Sequence, residues 1–123
     1  MTSASAALVS SMTGEPRAYS LYVTCKDAEE AERLARAVVE EGLAACANIL
    51  APTTSIYRWE GEVLADAEVP LILKTSSETR EACTERLAEL HSYDLPCIVA
   101  WPIVDAHPPY LQWLTDQCAR PDA

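Results

Sequence analysis

The chain has 123 residues, half of them hydrophobic and 23% charged, with a formal net charge of −10. That length suits one domain with its own core. The acidity opposes contact with nucleic-acid phosphates and anionic lipid headgroups, so neither nucleic acid nor membrane is expected as a partner.

Residues 1–17 are rich in Ser and Ala and read as a disordered N-terminal tail ahead of one domain over 18–123. With no Lys or Arg before Arg17, the signal-peptide reading is rejected. Tyr19 to Thr24 is β-branched and aromatic, a strand by composition. Asp27 is placed to cap the next helix, with Glu30 three residues on as in a capping box. Ala31, Leu34, Ala35 and Val38 recur at helical spacing, and Gly42 stops the helix. Cys46 to Leu50 reads as a second strand that Thr53 to Gly61 extends past Pro52. A turn near Gly61 and Glu62 leads to a returning strand ending at Val69 to Thr75. Ser76 and Ser77 offer a cap for a helix running to about Leu90. Cys97 to Trp101 is the last core strand, and Pro108 and Pro109 open a short terminal helix. The order β-α-β-β-α-β plus a helix predicts an α+β, ferredoxin-like antiparallel sheet with a long hairpin arm.

From Cys46 to Glu60 an extended chain spans roughly 45–50 Å at ~3.3 Å per residue. A domain of about 100 residues has a radius of gyration near 13 Å. The outer hairpin must therefore project, or bend at Pro52. Period two puts Tyr57 and Trp59 on one face, and Ile56, Arg58 and Glu60 on the other. An isolated ribbon exposing Tyr and Trp is marginal in water and leaves unpaired edges. Docking on another copy answers both problems, with Tyr57 and Trp59 as anchors. A hairpin curled over its own sheet is the alternative.

The five cysteines are odd in number and contain no Cys-x-x-Cys pair, which excludes a disulfide framework or zinc-finger pattern. Reduced thiols and a cytoplasmic location follow as the expectation. No hydrolase elbow, Walker loop or His-Glu-x-x-His motif occurs, so no enzyme is expected. Acylphosphatases share the topology but need an arginine after the first strand, where this chain has Cys25, Lys26 and Asp27.

Several ordered motifs resemble the CutA family of divalent-cation tolerance proteins. They are Tyr22-Val23-Thr24-Cys25, Glu41 to Ile49, Ser55 to Gly61, Leu73-Lys74-Thr75, His91 to Pro96, and Pro109 to Leu114. The resemblance implies a PII-like homotrimer with a part in tolerance to copper and other divalent metal ions, and no required cofactor. It implies metal ligands at a cysteine near the end of the first strand and at the histidine matched by His91. Two positions depart from the family's frequent His-Pro-Tyr-x-x-Pro-Glu: Ser92 stands for proline and Cys97 for glutamate.

Thiolate and imidazole are suitable copper ligands, with thiolate favouring Cu(I). Cys25, His91 and Cys97 are therefore the candidate ligands. Against this, Cys25 reads as a packed strand-end thiol and His91 as a partner of the preceding helix's last carbonyls. Cys46, Cys83 and Cys118 read as core. Lys74 ends an apolar strand and needs a carboxylate partner, such as Glu60, Asp94 or one from a neighbouring subunit. Lys74, Glu60 and Tyr93 mark an alternative, a PII-like signalling trimer that reads a small molecule in inter-subunit clefts. A scaffolding trimer without ligand is the third reading.

Overall fold

The computed structural model describes residues 14–119. The tail expected over 1–17 therefore falls outside the described residues up to position 13. Pro16 and Arg17 are tied to the domain. The Ser77 hydroxyl donates to the Pro16 carbonyl, and the Ser77 amide donates to the Arg17 carbonyl at 2.9 Å.

The elements in order are β1 (Ala18–Cys25), α1 (Ala28–Glu40), β2 (Cys46–Ile49), β3 (Thr53–Trp59) and β4 (Glu62–Ser76), followed by α2 (Arg80–Leu90), β5 (Ile98–Pro102) and α3 (Pro108–Gln117). The five strands make one antiparallel sheet in the order β2-β4-β1-β5, with β3 pairing β4. This is an α+β fold with three helices.

Helix α1 starts where expected: Asp27 Oδ1 accepts the Glu30 amide at 2.8 Å. It ends at Gly42, whose φ of +74° suits glycine and whose Cβ would come within 3.1 Å of the Ala119 carbonyl. Its stripe of Ala31, Leu34, Ala35 and Val38 packs on Leu21, Val23, Leu71 and Leu73 of the sheet, with Cys83 and Leu87 of α2 beside them. Each Leu or Val fully buried there contributes about 1.5–3 kcal/mol. The α2 cap differs from expectation. Thr79, not Ser76 or Ser77, is the N-cap, because the Ser76 hydroxyl accepts the Thr79 amide and tightens the preceding turn.

Helix α3 packs on the other side, where Leu114 meets Ala18 and Ala45. Among the described residues, the rest of that sheet face carries no helix. Across the strands it reads Trp101, Ser20, Lys74, Cys46 in one row and Val99, Tyr22, Ile72, Asn48 in the next. Trp101 is 53% exposed and meets Tyr22 edge-on. Two of the expected core cysteines are only half-buried. Cys46 lies on this face against the Tyr110 hydroxyl at 3.3 Å, and Cys118 follows α3; Cys83 is fully buried.

The expected second strand is split in two. Ile49 pairs Leu71 while Thr53 pairs Glu68, so three residues of one strand oppose two of β4. The extra residue is a bulge at Leu50, Ala51 and Pro52, a site where proline is tolerated because no ladder donor is required. Beyond it, β3 and Glu62–Glu68 form a two-stranded arm whose only strand pairing, among the described residues, is with each other. The arm projects and does not curl over its own sheet: Ile56 is 72% and Val63 63% exposed. Its turn is one residue earlier than the sequence suggests. Glu60 (φ +50°) and Gly61 (φ +83°) form a two-residue loop with both φ values positive, the geometry that matches strand twist.

Nothing lies within 4 Å of a Cβ added at Gly61, so Gly61→Ala tests conformation alone. It should lower stability by about 1 kcal/mol, while Glu60→Asn raises it by a few tenths, roughly, in thermal unfolding.

Candidate metal centre

Three elements converge at one end of the helix-covered face. Cys25 is the last residue of β1, Glu30 lies in the first turn of α1, and His91 is the C-cap of α2. Sulfur, carboxylate oxygen and ring nitrogen all lie within 4.8 Å of one another, and all three residues are buried.

Every polar side-chain atom of His91 and Glu30 has a partner. His91 Nε2 donates to the Thr24 carbonyl at 2.9 Å, and Nδ1 accepts the Tyr93 amide at 3.1 Å. These partners dictate the tautomer with the proton on Nε2. The ring thus reaches across to β1, not back to the carbonyls of α2. Glu30 Oε1 accepts the Lys26 amide and Oε2 the Ser92 amide, each at 2.9 Å. Arg33 approaches Oε2 at 3.5 Å, and His91 Nδ1 lies 3.9 Å from the same oxygen. Burial works to raise the Glu30 pKa, but the amide bonds from Lys26 and Ser92 outweigh it and hold the carboxyl below its usual range. The Cys25 thiol is pushed up to about 12, first by burial and then by the carboxylates of Glu30, Glu68 and Asp27. It is a protonated thiol at neutral pH.

The network extends outward. The Tyr93 ring packs on His91 at 4.7 Å between centroids, and its hydroxyl donates to Glu68 Oε2 at 3.0 Å. Burial, then that bond, raises the Tyr93 pKa. On the same face of β4, two residues from Glu68, Asp66 accepts the Tyr57 hydroxyl from the arm.

The structure brings together two of the three residues expected as ligands. Cys97 is exposed, precedes β5 and lies outside the group. Glu30 takes its place, a residue the sequence assigned only to helix capping. The available signal was its register: Glu30, Leu34 and Val38 fall on one buried stripe at i, i+4 and i+8. Its carboxylate also reaches past the cap residue to Lys26. Lys74 is half-buried on the helix-free face, while Glu60 sits at the arm tip, roughly 40 Å away along β4. One chain therefore does not join Lys74 to Glu60. Tyr57 and Trp59 are 39% and 47% exposed on the arm.

The family model described as CutA1 divalent ion tolerance protein matches residues 19–117. A divalent-cation tolerance protein CutA of Thermus thermophilus is 46% identical over 94 residues, covering 76% of this chain and 91% of the relative. Protein CutA of mouse is 42% identical over 93 residues, covering 76% of this chain; the match spans about half (52%) of that longer protein. The solved divalent cation tolerance protein of Thermus thermophilus superposes with a TM-score of 0.81 at 42% identity, covering 83% of this chain and 99% of the other. CutA1 from rice superposes with a TM-score of 0.81 at 39% identity, covering 85% and 95%.

Two outcomes follow from the buried network. A depressed carboxyl pKa adds stability above the ordinary carboxylate range, and that stability is lost as pH falls through the folded value. Glu30→Gln should cost about 2–4 kcal/mol at neutral pH, because an amide offers one acceptor where two N–H groups point. The variant should also show a shallower loss of stability on acidification below about pH 5 in denaturant melts. In thiol labelling of the native chain, Cys97 should react first. Cys25 and Cys83, both raised to about 12 chiefly by burial, should react only on unfolding.

Proposed function

The chain belongs to the CutA1 divalent ion tolerance protein family, and from that premise we propose that it works as a homotrimer that takes up copper or another divalent cation, without catalysing a reaction. The observation that carries the cation reading is the Cys25, Glu30 and His91 group. It sets a sulfur, an oxygen and a nitrogen donor within 4.8 Å of one another. Such a mixed set suits borderline ions such as Cu(II) and Zn(II). Binding through sulfur releases the thiol proton, so uptake is pH-dependent. The exposed Cys97 thiol offers a further donor outside the buried three.

Self-association is supported by two surfaces. The arm exposes Ile56, Tyr57, Trp59 and Val63, and the helix-free sheet face exposes Val99 and Trp101. Ribbons and apolar sheet faces of this kind are stabilised by burial against a partner. Closed threefold association would cover both. Lys74 favours a second reading, a PII-like trimer holding an organic anion in the inter-subunit cleft. It is half-buried and makes no ion pair among the described residues. The free thiols support a reducing compartment, and we place the protein in the cytoplasm on that ground.

Calorimetry with Zn(II) and Cu(II), together with solution mass, tests the proposal. Three chains per particle at micromolar concentration are expected, with binding weakened at least tenfold, roughly, in Cys25→Ala and His91→Ala. Unchanged binding in both variants would remove the site, and a monomer would remove the trimer. Stabilisation by organic anions but not by metal ions would favour the second reading.

A further inference from the structure

The cation donors are close together, yet His91 Nδ1 has its one lone pair in use and Glu30 Oε2 already accepts an amide. Glu30 Oε2 and His91 Nδ1, 3.9 Å apart, are held by consecutive amides, Ser92 at 2.9 Å and Tyr93 at 3.1 Å. We infer that the Ser92 and Tyr93 backbone N–H groups form a latch over the cation site, so that a cation reaches these two atoms only when the 92–93 segment moves away. The inference rests on the cation reading given above and concerns how that site is controlled.

Two features make this latch separable from the fold, and a third couples it to the arm. Residues 92 and 93 belong to neither a helix nor a strand, so displacing them breaks no ladder. The remaining anchors stay in place when they move: His91 Nε2 keeps the Thr24 carbonyl, and Glu30 Oε1 keeps the Lys26 amide. Donor positions on β1, α1 and the end of α2 are thus held while the cover lifts. The cover is also tied outward. The Tyr93 hydroxyl is fixed on Glu68 of β4, on the strand face where Asp66 holds Tyr57 of the arm. Lifting Tyr93 breaks the first of these bonds, which links cation entry to the base of the arm.

The Ser92 amide is open to a clean test. Proline has no N–H, and His91 has the extended backbone (φ −69°, ψ 144°) that a following proline requires. Ser92→Pro therefore removes the bond to Glu30 Oε2. Ser92→Ala keeps the N–H and serves as the reference. In the full chain, Zn(II) should bind Ser92→Pro about tenfold more tightly than Ser92→Ala, the worth of one hydrogen bond to a carboxylate. In the wild type, saturation with Zn(II) should speed hydrogen exchange at the Ser92 and Tyr93 amides while leaving Lys26 protected. Equal affinities of the two variants, or bound Zn(II) with both amides as protected as before, would overturn the latch. His91→Ala separates the two levels. Binding that depends on His91 but not on Ser92→Pro defeats the latch alone, whereas binding indifferent to His91 defeats the site and the latch with it.

Discussion

A carboxylate with 2% exposure sets the terms for this end of the molecule. An ionised Glu30 inside the domain is tolerated only if its oxygens are fully engaged. The chain meets that demand with backbone amides from two distant segments, Lys26 after β1 and Ser92 after α2. Glu30 therefore fixes the entry to α1 and the exit from α2 at once. His91 repeats the device from the other side, bridging Thr24 and Tyr93. The convergence of donors that makes a cation site conceivable is a by-product of this bonding. The same bonding explains why the donors are covered.

A second constraint is the length of β4. Its 15 residues exceed what the domain needs. The C-terminal half serves as a central core strand between β1 and β2, and the N-terminal half is left with β3 alone. The bulge at Leu50 to Pro52 marks the change of role. The arm and the helix-free face then present apolar side chains that the described residues of one chain leave uncovered. Glu68, at the boundary between the halves, holds Tyr93, so the base of the arm and the donor group share a side chain.

Much of the architecture was legible in the sequence because it rests on local rules. Period-two strands, the Asp27 cap, the Gly42 stop and the paired prolines that open α3 each act over a few residues. The structure departs from those local rules where long-range geometry decides. The split between β2 and β3 depends on register with β4, which no local pattern encodes. The turn lies at Glu60–Gly61 because register requires a two-residue loop, even at the cost of a glutamate with positive φ. In the candidate site, Cys25 and His91 could be singled out by ligand chemistry alone. Glu30 could not, since its capping position gave it a sufficient role already, and its partners His91 and Ser92 come from beyond α2 in the chain. Cys97 shares the ligand chemistry, but its place before β5 leaves it exposed and outside the group.

If Cys25, Glu30 and His91 form one cation site beneath residues 92–93, a crystal of the full chain soaked in Zn(II) and measured at the zinc edge shows it most directly. An anomalous peak bounded by Cys25 Sγ, Glu30 Oε2 and His91 Nδ1 is expected, with the Ser92 and Tyr93 amides displaced. A peak elsewhere on the molecule, with those two amide bonds intact, would contradict both the site and its cover.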